Sequence, residues 1–153
     1  MAPTVADYLL ERLRSWDVQH VFAYAGDGIN GILAAWGRAE NKPQFVQARH
    51  EEMAAFEAVG YAKFTGRVGV CMATSGPGAT NSVTGITDAL MDSIPLVVIT
   101  GQVPTHLIGT DAFQECDTVG ITRPCTKHNY LVKDVADLPH VLHEAFKIAT
   151  TGT

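Results

Sequence analysis

The chain has 153 residues, 46% of them hydrophobic, and a net charge of −5, which is one domain's length with enough apolar material for a core. No run of Lys or Arg stands out, so nucleic acid and anionic membrane surfaces are disfavoured as partners, and no apolar stretch reaches the roughly 20 residues that span a bilayer. Asp7 and Glu11 lie among the first apolar residues without a basic lead-in, so no signal peptide is expected, and three cysteines, an odd count at no metal-type spacing, point to reduced thiols in the cytoplasm.

Thr4 is placed to cap a first helix, with Val5, Tyr8, Leu9 and Leu13 on its inner side and Asp7 three residues on, as in a capping box. Val21-Phe22-Ala23-Tyr24 reads as a strand and Gly26-Asp27-Gly28 as the turn after it. Ile29, Ile32, Leu33 and Trp36 recur at helical spacing. Phe45 to Ala48 is a short strand, and Glu51 to about Lys63 is a helix. Val68 to Ala73 is a strand in which Cys71 behaves as a small hydrophobe. Ser75-Gly76-Pro77-Gly78 is its exit loop, and a helix runs from Asn81 to about Met91. Pro95 to Thr100 is a strand of nearly continuous aliphatics. Gln102 to Lys127 is irregular, and long loops in compact domains often carry function. Asp134 begins a last helix with Leu138, Val141, Leu142 and Ala145 as its core face. There is no internal repeat and no low-complexity segment.

Strands that lack apolar/polar alternation are covered on both faces. Strands separated by helices imply right-handed crossovers and a parallel sheet. The expected fold class is therefore α/β: a three-layer sandwich over residues 1–153, with a mainly parallel central sheet and helices on both faces. Ligands of such sheets bind at the carboxyl ends of the strands.

Two segments fall at that edge. Glu51 lies where a strand ends and a helix begins, and Glu52 beside it points about 100° away. Taken alone, both read as acids favoured by the helix dipole. Thr74 to Asn81 puts glycines at a strand-to-helix turn, where backbone can approach a ligand and the next helix can meet an anion. It is neither a dinucleotide fingerprint, since Asn81 stands where the third glycine belongs, nor a P-loop, so a turn without a ligand is equally open. His140 and His143, with Glu144, lack the H-E-x-x-H order and read as packing or solvated residues; no metal ligand is expected in this chain.

Taken jointly and in order, a set of motifs is far more specific. It comprises Arg49-His50-Glu51, Gly60-Tyr61-Ala62, Thr65-Gly66, the Thr74 to Asn81 loop, Asp92-Ser93-Ile94-Pro95, Thr100 to Pro104, Gly109 to Glu115, and Ile121-Thr122-Arg123-Pro124. Over essentially its whole length the chain resembles the N-terminal, pyrimidine-binding domain of the acetolactate synthase and pyruvate oxidase family of thiamine-diphosphate enzymes. The first half, with Gly26 to Gly31 and His50 to Met53, is similar to pyruvate-oxidase-like members. The stretch from about Thr84 to Ala149 is similar to acetolactate synthases.

The resemblance implies that Glu51 is catalytic, hydrogen-bonding N1′ of the aminopyrimidine of thiamine diphosphate. A carboxyl group in a dry pocket keeps its proton nearer to neutral pH and can pass it to that nitrogen. By the same resemblance Tyr24, Gly26, Gly28, Pro77, Gly78, Asn81 and Gln114 border the cofactor, and Pro104, Ala112 and Phe113 line the substrate channel. The implied chemistry is decarboxylation of a 2-keto acid, pyruvate, followed by carboligation. A pyruvate oxidase or decarboxylase outcome and a catalytically silent binding domain are the alternatives. Gly26-Asp27-Gly28 begins like the family's metal and diphosphate motif but lacks the downstream Asn pair, and is read as a turn. The resemblance implies that diphosphate and Mg²⁺ sit on a domain not in this chain, as does FAD where the family uses it. A last strand of the sheet is expected to be missing too. The exposed edge left behind favours a homo-oligomer, or a separate diphosphate-binding domain as partner.

Overall fold

The computed structural model describes residues 2–152. The chain opens with helix α1 (Val5–Ser15), whose capping box is complete. The Thr4 backbone N–H donates to Asp7 Oδ2 at 2.8 Å, and the Asp7 N–H donates to Thr4 Oγ1 at 3.2 Å, so two orphan donors of the helix start are satisfied reciprocally. Three apolar residues of its second and third turns, Leu9, Leu10 and Leu13, are buried. Leu9 and Leu13 face the core as expected and Tyr8 packs against it, while Val5 does not and Leu10 joins them. Val5 is 46% exposed while Leu10 is 1% exposed, because α1 leans its second and third turns, not its first, on the sheet.

Among the described residues four short strands follow: β1 (His20–Ala23), β2 (Gln44–Gln47), β3 (Gly69–Ala73) and β4 (Leu96–Thr100). They form one sheet in the order β2-β1-β3-β4, and every neighbouring pair is parallel. Parallel neighbours require crossovers. These are α2 (Asn30–Arg38), α3 (Glu51–Thr65), and the pair α4 (Pro77–Asn81) and α5 (Val83–Met91). The short α6 (Thr118–Thr122) and the longer α7 (Leu138–Thr150) follow the sheet.

The strands do alternate, but between two apolar layers. Val21, Ala23, Val70, Met72 and Val97 face α1, α2 and α7, where Leu10, Leu13, Trp36, Leu142 and Phe146 close the larger core. Phe22, Cys71, Leu96 and Val98 face the other way, onto Ala55 and Ala58 of α3, and α5 packs alongside α3. The expected three-layer α/β sandwich is present, with a sheet that is wholly rather than mainly parallel. Burial on both faces holds for the central β3, which is buried throughout. It fails at the edges: β2 exposes Gln44 and Gln47, and β4 is half-buried apart from Val97, because each has a neighbour on one side only.

Two boundaries differ from expectation for local reasons. The helix after β3 starts at Pro77 rather than Asn81, since proline fits the first helical position, where its missing N–H has no partner to lose. Asp134 caps a single 3-10 turn, Val135–Asp137, and α7 begins only at Leu138. Phe146, four residues beyond Leu142, is the deepest residue of α7 and stacks on Trp16 with ring centroids 5.1 Å apart. Within the irregular stretch lie 3-10 turns at Thr105–Leu107 and Arg123–Cys125.

The chain leaves β1 toward β2 on one side and returns to β3 on the other. The carboxyl ends of β1 and β3 therefore diverge, which is where an open parallel sheet forms its crevice. Residues 24–28 and 74–78 emerge there.

Candidate functional site

Thr74 is the wedge of this crevice. It follows β3 and is 7% exposed. Its hydroxyl accepts the Gly28 backbone N–H at 2.8 Å, which ties the loop after β1 to the end of β3. Gly26 and Gly78 lie directly against it. A Cβ at Gly26 would stand 2.5 Å from Thr74 Cβ, and one at Gly78 2.5 Å from Thr74 Cγ2. Gly76 has φ 48°, a left-handed value that L side chains rarely adopt. A side chain there would also collide with the Gln114 carbonyl oxygen. The loop after β3 and the later Gln114 segment are thus in backbone contact.

Glu51 is the first residue of α3. Before it, His50 caps the helix with its ring: Nδ1 accepts the Glu52 N–H at 3.2 Å. A solvated acid at a helix start would be exposed, but the Glu51 side chain is only 8% exposed. Its Oε2 accepts Asn81 Nδ2–H at 3.0 Å and lies 3.9 Å from His50 Nε2. Its Oε1 faces Gly78, where an added Cβ would stand 3.1 Å away. Among the described residues Oε1 accepts no hydrogen bond, and it is not among the fully buried polar atoms lacking one. A carboxyl group screened from water, held by one oxygen and open at the other, can pair with a ring nitrogen or N–H of a flat ligand.

The other expected site residues divide into two groups. Gly26, Gly28, Gly78 and Asn81 join Glu51 around Thr74. Tyr24 lies just past β1, 37% exposed, with its N–H on Met72 O at 3.4 Å, and Pro77 is exposed at the start of α4. The second group belongs to the segment after β4. Pro104 precedes the Thr105–Leu107 turn. Ala112 and Phe113 sit in a loop closed by Glu115, whose carboxylate accepts N–H groups from Gly109, from Thr110 at 3.2 Å and from Ala112 at 3.1 Å. The Gly109 N–H first, then those of Ala112, Thr110 and Asp111, hold the Glu115 carboxyl below its usual range. Phe113 is 80% exposed, and Gln114 reaches the first group through its backbone against Gly76.

The sequence reading did not single out Thr74, His50 or Glu115 for these roles. Thr74 carried one usable signal, a β-branched hydroxyl residue immediately after a buried strand and before glycine. Glu115 gave none, because its partners are backbone groups in a turn whose left-handed residues, Gly109, Asp111 and Gln114, are not fixed by composition.

A cleft of about 1120 Å³ touches this region only at its margin, through Gly28 and Glu115. It runs along the outer edge of β4 toward Leu131, Val132 and α7, and Glu51 does not line it. Volume alone supplies no chemistry, so the ionisable group at the crevice, not the cleft, marks the candidate site. His143 lies against Trp16 with ring centroids 5.5 Å apart, and among the described residues no three His, Cys, Asp or Glu side chains assemble as a metal-ligand set. Burial pushes the Cys71 thiol up to about 12, as suits a residue that packs rather than reacts. No helix among the described residues is long and apolar enough to cross a membrane.

The thiamine pyrophosphate enzyme N-terminal TPP binding domain matches residues 3–121. The chain is 54% identical over 147 residues to the chloroplastic acetolactate synthase of Arabidopsis thaliana, covering 96% of this chain and 22% of that protein. It is 54% identical over 147 residues to the chloroplastic acetolactate synthase 1 of Oryza sativa subsp. japonica, at 96% and 23% coverage. It is 48% identical over 147 residues to the large subunit of acetolactate synthase isozyme 2 of Escherichia coli K12, at 96% and 26% coverage. The chain spans about a quarter of the length of these relatives.

Proposed function

This chain belongs to the thiamine pyrophosphate enzyme family through its N-terminal TPP binding domain, and on that premise we propose that it supplies the aminopyrimidine-binding half of a thiamine diphosphate site in an acetolactate synthase. The reaction is decarboxylation of pyruvate followed by carboligation to a 2-keto acid. The observation that carries the reading is the buried Glu51 carboxylate, gripped at Oε2 by Asn81 and open at Oε1 beside Gly78.

The residues present fit that half of the cofactor. A flat ring needs a backbone surface without side chains, and Gly78 provides one next to an acceptor. Thiamine diphosphate, when bound, supplies the electron sink for loss of CO₂ from a 2-keto acid. The protein's own part is to hold or give a proton at Glu51 and to exclude water around it. Thr74 sets the spacing of the two loops, and Tyr24, Gly26, Gly28, Pro77 and Gln114 border the ring. Pro104, Ala112 and Phe113 line the approach taken by the substrate. The diphosphate and its Mg²⁺ fall to a domain other than this chain, as does FAD where it is present. The working assembly is a homo-oligomer or a complex with such a domain. The relatives' roughly fourfold greater length supports this division.

The test is titration of the chain with thiamine diphosphate and with the aminopyrimidine alcohol that forms the cofactor's pyrimidine half. Binding is expected, and Glu51→Gln is expected to weaken it without lowering Tm. Failure of the native chain to bind either ligand, or binding indifferent to Glu51, refutes the reading. Adding Mg²⁺ and pyruvate and assaying acetolactate and acetate separates synthase from oxidase chemistry. Binding without any Glu51-dependent product makes the isolated chain a silent binding domain.

A further inference from the structure

Glu51 has two carboxylate oxygens, and the structure treats them differently. Oε2 faces donors only. Asn81 Nδ2–H lies at 3.0 Å, and His50 Nε2 approaches to 3.9 Å. An ionised carboxylate is acceptor-only, so the Asn81 atom facing it is the amide N–H₂. The ring of His50 is fixed in the same sense. Its Nδ1 already accepts the Glu52 N–H, so in the neutral ring the proton sits on Nε2, the atom turned to Oε2. While it caps α3, neutral His50 thus turns an N–H toward Oε2, at 3.9 Å and short of a hydrogen bond. Oε1 has the opposite surroundings: its neighbour is Gly78, which contributes no side chain.

Asn81 ends α4 and Glu51 begins α3. Their contact therefore joins the two helix termini at the sheet's carboxyl edge, between residues 30 positions apart. With Oε2 held by Asn81, rotation of the carboxylate about its last bond is restrained, and Oε1 is left toward Gly78. We propose that Asn81 is a positioning residue: it assigns Oε2 of Glu51 to the protein, so that Oε1 alone exchanges a proton with the aminopyrimidine ring. Resting on the functional reading above, this departs from it at one residue, since Asn81 acts through Glu51 and not by touching the ligand. The preorganised donor matters because a carboxylate free to turn presents its acceptor in the right direction only part of the time.

The experiment is a double-mutant cycle on the chain, read by ligand-observed NMR with the aminopyrimidine alcohol as probe, which follows weak as well as tight binding. Asn81→Leu removes the donor at similar size. It is expected to weaken the probe about tenfold, roughly 1.4 kcal/mol, in the native background and to change nothing in the Glu51→Gln background. Asn81→Asp, which keeps the shape and replaces the donor with a like charge, is expected to weaken binding at least as much. It keeps the test open should the Leu variant unfold, with thermal melting as the check. If both variants bind as the native chain does while Glu51→Gln does not, positioning by Asn81 is overturned and the functional reading stands. Equal losses in both backgrounds would mean that Asn81 touches the ligand itself, and they also overturn the proposal. A native chain that binds no probe removes the functional reading first, and this inference with it.

Discussion

Replacing Thr74 with valine isolates the hydrogen bond on which the crevice is hung. Valine keeps the branched shape, so the methyl that Gly78 and Gly26 accommodate stays in place. What changes is the hydroxyl, whose oxygen takes the Gly28 N–H at 2.8 Å. A methyl in its place leaves that donor unpaired and stands too close to it, so residues 26–28 must withdraw by a few tenths of an ångström. Gly28 is exposed, so water can reach the freed donor, and the loss is that of one ordinary hydrogen bond, about 0.5–1.5 kcal/mol. For a chain of this size roughly 2–4 °C is lost per kcal/mol, so Tm is expected to fall by about 1–6 °C. Thr74→Ser is the matched control: it keeps the acceptor and loses only a methyl, at about 1 kcal/mol. Urea and thermal unfolding of both variants provide the comparison. Amide exchange at Gly28 is expected to quicken in the valine variant and stay slow in the serine one. A valine variant as stable as the native chain, with serine the worse of the two, would show that packing rather than the hydroxyl places the loop after β1.

Leu10→Ala is expected to cost about 2–5 kcal/mol, whereas Val5→Ala should stay within about 0.5 kcal/mol; equal effects in denaturant melts would contradict the lean of α1 described above. The depressed Glu115 carboxyl contributes stability that is present above its ordinary value of 4.5 and lost as pH falls through the lower folded value. Amide protection of residues 109–112 should therefore survive at pH 5 and disappear in more acid solution, and Glu115→Gln should loosen the loop even at neutral pH. Protection that ignores both changes would rule out the carboxylate as the clasp. Cys71, buried with its thiol near 12, should resist alkylation in the folded chain while the half-exposed Cys116 and Cys125 react; mass spectrometry of the labelled chain that finds Cys71 modified first would place it wrongly.

Much of the fold was legible because it rests on local rules. Thr4 and Asp7 announced the first helix through the hydroxyl and carboxyl their spacing brings together. Short aliphatic runs separated by helical periodicity implied a parallel sheet covered on both faces, since crossover helices must lie on those faces. What local rules could not supply was orientation: Leu10 and Val5 both look eligible for the core, and only the lean of α1 on the sheet chooses between them. The same limit applies to strand position. Val98 and Cys71 are similar residues in similar runs, but β4 has a neighbour on one side and β3 on both. For the candidate site, sequence pattern alone left Glu51 an ordinary helix-start acid, and the ordered set of motifs raised it above that. The rest was decided by tertiary structure. Asn81 meets Glu51 across 30 residues, Thr74 holds Gly28 across 46, and Gly76 admits the Gln114 backbone. Such contacts depend on the order β2-β1-β3-β4, which brings the carboxyl ends of separate strands to one crevice. No single segment contains that order, because it is a property of how the crossovers pack and not of any one of them.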